Sequence, residues 1–303
     1  MLEKLGAWFA LSRPPFHTVG ILPLVLGSVL AWKQTGSLRV GLLVWAVLGV
    51  VLIMLSTYYA GEYWDFAEDL ISGQLGGSRF AGGSQVVQRG LLPRSAAQRA
   101  SVVAMALALV VGLVLQFGYR TGPWTLPLGV LGIVGGFFYS TRPVRWVNRG
   151  WGELWIGLCY GWLPIATGYY LQVGQFHSLV HWMALPVGLS IFNVILLNEF
   201  PDYAADRAAG KRNLTVRLGR QTSARLYGLL SIASSMAVGL SALRGVAAQV
   251  LFWYAPVGIL SAGIVFSMLR GRWRDRRTLE RLCAANLVVN LGTSAAYIAA
   301  LVR

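Results

Sequence analysis

Apolar residues run along this chain in blocks too long for the strands or one-sided helices of a water-soluble protein. A helix needs roughly 20 mostly apolar residues to cross a bilayer. Nine stretches answer that need, near 17–33, 40–60, 97–118, 122–140, 152–172, 179–199, 223–243, 249–269 and 283–302. Polar or glycine-bearing segments separate them, so the pattern predicts an all-α integral membrane protein with nine transmembrane helices. Residues 1–12 form a short amphipathic stretch, expected to lie along the membrane surface. Arg13-Pro14-Pro15 interrupts it before the first apolar block, which argues against a cleaved leader. The whole chain, 1–303, reads as a single membrane domain, with active-site loops expected at 61–95 and 199–222.

Composition agrees with the blocks. Hydrophobic residues make up 56% of the 303 and charged residues 12%, too little polar surface to cover a soluble globule. The formal charge of +15 would ordinarily suggest an acidic partner such as nucleic acid. In a membrane protein the bland explanation suffices, because basic residues gather in cytoplasmic connections. Here 21 of the 26 Lys and Arg fall in the N-terminus and in the connections after the second, fourth, sixth and eighth stretches. The expected N-terminus is therefore cytoplasmic and the C-terminus outside, with the protein in the cell's inner membrane. No nucleic-acid or protein partner is indicated, and the one large partner is membrane lipid. Cys159 and Cys283 both lie in apolar stretches, which leaves no disulfide framework, and His17, His177 and His181 are too scattered for a histidine metal centre.

The eleven acids carry more information, since all fall on the same predicted cytoplasmic side, a bias the positive-inside rule does not produce. Seven of them sit in two similar segments. Glu62, Asp65, Ala67, Asp69 and Gly73 match Glu199, Asp202, Ala204, Asp206 and Gly210 at an offset of 137, and Tyr63 and Phe66 exchange with Phe200 and Tyr203. The segments look like an internal duplication. In each, acids at i, i+3 and i+7 stack on one helix face. Columns of like charge at the end of an apolar helix are costly unless cations lie between them. Oxygen ligands without His or Cys point to Mg²⁺, which is commonly held by one or two carboxylates together with substrate phosphates. Two such columns suggest a Mg²⁺-bridged diphosphate.

The flanking loops suit an anion. Gly73, Gly76-Gly77, Ser78-Arg79 and Gly82-Gly83-Ser84 follow the first column without the spacing of a nucleotide P-loop. Arg207, Lys211, Arg212 and Arg217 follow the second, and Tyr139-Ser140-Thr141-Arg142-Pro143-Val144-Arg145 leaves the fourth stretch. Arg79, Arg142, Arg207 and Lys211 are the expected diphosphate contacts. Asp65, Asp69, Asp202 and Asp206 are the expected metal ligands and catalytic residues, with Glu62, Tyr63, Tyr139, Asn198 and Glu199 in the pocket. Of the other aromatics, Tyr59, Trp64 and Tyr203 stand close enough to the columns to line it. The arginine run from Arg270 to Arg281 has no acid column beside it and reads as a topology anchor.

At these residues the sequence resembles the UbiA superfamily of intramembrane prenyltransferases. Its two aspartate-rich motifs look like Gly61-Glu62-x-x-Asp65-x-x-x-Asp69 and Asp202-x-x-x-Asp206, with Gly61-Glu62 standing where the family usually has Asn-Asp. Arg13-Pro14 with Pro23 and Gly27, the Tyr139-Ser140 exit, Gly150-Trp-Gly152-Glu153 and the stretch Arg207 to Gly219 extend the likeness across nearly the whole chain. The last two look most like the branch that prenylates 1,4-dihydroxy-2-naphthoate in menaquinone synthesis. The resemblance implies nine helices around a central cavity, an isoprenyl diphosphate held through Mg²⁺ by the two motifs, and an aromatic acceptor. Other acceptors in the same reaction class are 4-hydroxybenzoate, homogentisate, a tetrapyrrole or a glycerol-phosphate lipid. An ion-coupled transporter would also use membrane acids, but it wants them at mid-bilayer, and these stand at helix ends on one side.

Overall fold

A computed structural model describes residues 2–303, and the described residues are all-helical with turns and loops between. The chain forms α1 (Leu2–Ser12), α2 (Thr18–Thr35), α3 (Val40–Trp64), α4 (Phe66–Gln74), α5 (Arg94–Leu113) and α6 (Thr125–Ser140). It continues through α7 (Gly152–Gly157), α8 (Leu163–Val173), α9 (Ser178–Ala208), α10 (Leu214–Leu218), α11 (Arg220–Leu243), α12 (Val250–Leu269) and α13 (Arg276–Val302). Seven helices among the described residues are long and apolar enough to cross a membrane. The two other predicted spans are built differently. α6 has only 16 residues, and the 152–172 stretch is a composite in which a widened turn at 158–162 joins α7 to α8. Predicted and observed blocks therefore coincide in position while differing in regularity.

Neighbouring helices close a ring: α2, α3, α5, α6, α8, α9, α11, α12, α13 and back to α2. Further pairings, chiefly α2 with α8, α9 with α13 and α3 with α6, tie its parts together. The α2–α8 crossing depends on missing side chains. A Cβ on Gly27 would lie 2.0 Å from the Ile165 carbonyl oxygen, and one on Gly168 would lie 2.1 Å from that of Leu24. Helix backbones meet there as they do at small-residue crossings in membranes. The outward faces carry Val44, Val103, Phe117, Leu229, Met236, Phe252 and Ile259, all exposed, as lipid contact requires. Leu26, Ile165, Met183, Val187 and Tyr297 pack the interior.

Helix ends follow local chemistry. Gly36 and Gly174 take left-handed φ of 72° and 81° and stop α2 and α8. His177 caps α9 by accepting a hydrogen bond from the Leu179 N–H at 3.1 Å, and His181 accepts one from Trp162 Nε1 at 2.8 Å, so both histidines have structural partners. Pro201 inside α9 has no N–H to give the Leu197 carbonyl. The Cys283 thiol of α13 approaches that carbonyl instead, at 3.8 Å. Both cysteines are free.

The first acid column departs from a straight helix. α3 ends at Trp64, Asp65 stands at a joint with φ −96° and ψ 18°, and α4 resumes at Phe66. The hydrogen-bond ladder still crosses that joint, Asp65 N–H to Gly61 O at 2.8 Å and Asp69 N–H to Asp65 O at 2.9 Å. The three acids consequently keep the common face that their spacing predicts. The second column lies in unbroken α9, so much of the expected loops at 61–95 and 199–222 is helical.

Candidate active site

Both columns face one cavity of about 220 Å³ at one end of the ring. Glu62, Asp65 and Asp69 line it from α3 and α4, and Asn198, Glu199, Asp202 and Asp206 from α9. Each carboxylate is anchored. Asp65 accepts from Ser140 Oγ and from Arg145 Nη2 at 3.0 Å, and the same guanidinium pairs with Glu68. Asp202 accepts from Ser72 Oγ. Asp206 pairs with Lys211 Nζ at 3.3 Å and accepts from Asn213 Nδ2 at 2.7 Å. The glycine loop closes over the acids: Glu62 accepts from the Ser84 N–H, and Gly82 and Gly83 take φ of 75° and 66°. A Cβ on Gly83 would fall 2.3 Å from Asp69 Oδ2, so this approach of backbone to carboxylate demands glycine.

The stretch after the second column is held by acids as well. Asn213 caps α10 by accepting from the Val216 N–H at 2.9 Å. Buried Glu153 accepts from the Leu214 N–H and Glu199 from the Thr215 N–H, each at 2.9 Å. Together they fix the turn that aims Lys211 into the cavity. Burial, reinforced by the charges of Asp65 and Glu62, pushes the Asp69 carboxyl well above its ordinary range. Burial alone would lower Lys211, but Asp206, Asp65 and Asp69 outweigh it and hold the ammonium well above its usual value. An uncompensated crowd of carboxylates against few cations favours a further positive group. The donor set is oxygen only, and one oxygen of buried Glu62 has no partner in the protein. Among the described residues no three His, Cys, Asp or Glu side chains converge on one point, so a hard cation here would complete its shell with oxygens of a ligand. The residues present fit such a group.

Three phenols, Tyr58, Tyr139 and Tyr160, form the floor. Below them Thr57, Ile156 and Tyr160 also border a second, apolar cavity of about 100 Å³ that runs between α3, α5, α6 and α8. A charged mouth thus opens onto an apolar shaft. The UbiA prenyltransferase family matches residues 21–290. The chain belongs to that family. It is therefore an integral membrane prenyltransferase. Among its relatives, the 1,4-dihydroxy-2-naphthoate octaprenyltransferase of Bacillus subtilis is 25% identical over 82% of this chain and 78% of its own length. The enzyme of the same description from Mycobacterium tuberculosis is 27% identical over 89% of this chain and 90% of its own. A UbiA homologue from Archaeoglobus fulgidus, solved with GPP and Mg²⁺ bound, shares the fold with a TM-score of 0.66 at 15% identity, covering 97% of this chain and 99% of that one.

In this UbiA-family fold the four aspartates, Glu62, Tyr139, Asn198, Glu199 and Lys211 are brought to one cavity. Other residues expected there are elsewhere. Arg142 and Arg207 are exposed and outside the lining, and Arg79 lines a neighbouring cleft. Tyr63 packs under Arg94, 4.4 Å from guanidinium to ring centre, Tyr59 packs on Trp8, and Tyr203 lies under Arg220. The reason is helical phase. The face that carries Glu62 and Asp65 also carries Tyr58, four residues before Glu62, whereas 59, 63 and 64 point away. Arg145, Arg13, Ser72, Ser140 and Asn213 reach the site although they are not among the residues expected to line it. The i−4 rule would have found Tyr58. Nothing in the spacing prefers Arg145 over Arg142, because the connection after α6 is irregular.

Proposed function

We propose that this prenyltransferase transfers a polyprenyl group from an isoprenyl diphosphate to 1,4-dihydroxy-2-naphthoate, as a step of menaquinone synthesis. The two carboxylate columns facing one cavity above an apolar shaft are the observation that carries the reading. In it, nine helices cross the cell's inner membrane, α1 lies at the surface, and the chain is one domain with its charged end in the cytoplasm. Asp65 and Asp69 from one column and Asp202 and Asp206 from the other would hold Mg²⁺, with Glu62 and Glu199 as neighbours. The metal, when bound, withdraws charge from the diphosphate as a Lewis acid.

The chain's own groups do the rest. Lys211 and Arg13 face the cavity as cations for the anionic head, while Arg145 fixes Asp65 and Glu68. As the allylic C1–O bond breaks, its electron pair leaves with the pyrophosphate. Positive charge then develops on the prenyl carbon beneath Tyr58, Tyr139 and Tyr160, whose ring faces attract a cation. The tail occupies the apolar shaft, where water is excluded, and the electron-rich ring attacks the prenyl carbon and regains aromaticity by expelling what the attacked carbon carried, a proton or, at the carboxyl-bearing carbon, carbon dioxide.

Two considerations support the naphthoate acceptor. The named relatives share about a quarter of their residues with this chain over most of its length. Moreover, the two segments that resemble that branch form one unit here, in which Glu153 grips the turn that begins at Lys211. Purified protein given Mg²⁺ and a long-chain prenyl diphosphate is expected to prenylate 1,4-dihydroxy-2-naphthoate in preference to 4-hydroxybenzoate or homogentisate, and EDTA is expected to abolish the reaction. Preference for another acceptor would overturn the naphthoate assignment alone. Full activity in EDTA would remove the metal from the scheme.

A further inference from the structure

Beside the carboxylate cavity lies a larger, open cleft of about 1070 Å³ between the end of α1, the 76–89 loop and the first turns of α13. Arg13, Arg79, Arg89, Arg276, Arg277 and Arg281 line it, and Glu280 is the one acid in its lining. The sequence pattern reads the run from Arg270 to Arg281 as a topology anchor. Folding gives three of its arginines a second setting, because α13 starts against a glycine loop 200 residues earlier in the chain. Arg276 donates to the carbonyls of Gly76 and Gly77 and so fixes one wall. A general excess of basic residues on one side explains their number but neither the concavity nor the connection to the site. Arg13, Phe16, Phe80 and Gly83 line both cleft and cavity.

Two features mark the cleft as built for an anion. Among the described residues none of its six arginines forms an ion pair with a carboxylate, whereas Lys211 and Arg145, beside the carboxylate columns, both do. Concentrated positive charge in a concave surface focuses the field on whatever enters. Arg13, at the boundary, holds a left-handed backbone with φ 49°, a conformation that is strained for a non-glycine residue and clusters at functional sites. Its guanidinium is also among the charges that act on Asp69.

We propose that this cleft is a metal-independent phosphate site, the passage through which a diphosphate group reaches and leaves the carboxylate cavity. When the C1–O bond breaks, the electron pair goes to the bridging oxygen, and the released pyrophosphate is left among several carboxylates. Guanidinium groups immediately outside supply the attraction that draws it away. Bidentate arginine contacts suit phosphate oxygens, and an open cleft whose lining has no carboxylate column to hold a metal suits transit rather than capture. The identity of the ligand rests on the prenyl-transfer reading, but the phosphate chemistry does not, and lipid headgroups share that chemistry.

Binding without turnover separates the two. Full-length protein in detergent with EDTA is titrated calorimetrically with inorganic pyrophosphate. Saturable binding is expected, weakening with added salt. Arg277→Gln with Arg281→Gln is expected to weaken it about tenfold or more, and Arg277→Lys with Arg281→Lys, which keeps both charges, to restore much of it. Asp65→Asn with Asp206→Asn is expected to leave it intact. Repeating the titration in nanodiscs distinguishes the sources: competition by phosphatidylglycerol but not phosphatidylcholine adds a lipid headgroup as occupant, and equal binding in both leaves soluble diphosphate. No binding in EDTA, indifference to the glutamine pair, or loss in the aspartate pair would overturn the proposal. A glutamine pair that binds weakly while the lysine pair binds well excludes simple misfolding as the cause.

Discussion

Single side chains at the charged end divide into those that face the cavity and those that do not, and substitutions should follow that division rather than residue type. Asp65→Asn and Asp206→Asn keep shape while removing charge from opposite columns, and each is expected to lower turnover by about 10²-fold or more, the scale of one lost electrostatic group in a dry site. Asp275→Asn is the control. Asp275 caps α13 by accepting from the Thr278 N–H at 2.8 Å, and asparagine caps a helix comparably, so turnover and membrane insertion should be unchanged. Equal sensitivity at all three would point to folding. Arg145→Gln and Arg142→Gln make a second contrast. The first strands the partly buried carboxylates of Asp65 and Glu68 and should cost about 1.5–3 kcal/mol in stability as well as activity. The second removes an exposed cation outside the cavity and should do little, as read from thermal midpoint and prenyl-transfer rate. The aspartates were legible because helical spacing survives even the joint at Asp65. The arginines were not, since a loop has no period from which to read direction.

Whole helices are positioned by where side chains are absent, and two glycines should therefore respond in opposite ways. At Gly27 any Cβ meets the Ile165 carbonyl of a facing backbone that cannot swing aside. Gly27→Ala is expected to cost about 3 kcal/mol, the upper end of the overpacking range, and to appear as loss of folded protein. Gly129 lines the apolar shaft with nothing within 4 Å of its would-be Cβ. Gly129→Leu should fold normally and fill space meant for the prenyl tail. Its rate with a geranyl diphosphate should be nearly retained, while its efficiency with an octaprenyl diphosphate falls about tenfold or more. A uniform loss for both lengths would mean that the tail does not enter this shaft. Hydropathy alone located the helices, including the composite α7–α8, because burial in lipid demands apolar length whatever the turn geometry. It could not say which glycines face a helix, a cavity or nothing, for that depends on the partner across the gap.

At the scale of the molecule, polarity along the membrane normal ties the site to the fold. The residue 76–89 loop, the turn at Arg145, the turn at Lys211 and the start of α13 meet at one end of the ring, as shown by the Arg145 bridge to Asp65 and the Arg276 contacts to Gly76 and Gly77. Gln34, Arg39, Gln172 and His177 meet at the other, where Tyr169 donates to Gln34 at 2.6 Å and the Arg39 N–H to Gln172 at 2.9 Å. Charge separation in the sequence thus reappears as two ends of one body. The positive-inside rule predicts that the first end, which carries 21 of the 26 basic residues, faces the cytoplasm. The side is testable by labelling. With Cys159→Ser and Cys283→Ser as background, a cysteine replacing Ser78 should resist a membrane-impermeant maleimide on intact cells and react once the membrane is opened. A cysteine replacing Arg303 should react on intact cells. Serine at 283 keeps a donor for the Leu197 carbonyl, so the background should fold. Labelling of both positions from one side would require an even number of crossings. The weakest candidate span would then be α6, whose 16 residues rise only about 24 Å against a hydrocarbon core of about 30 Å.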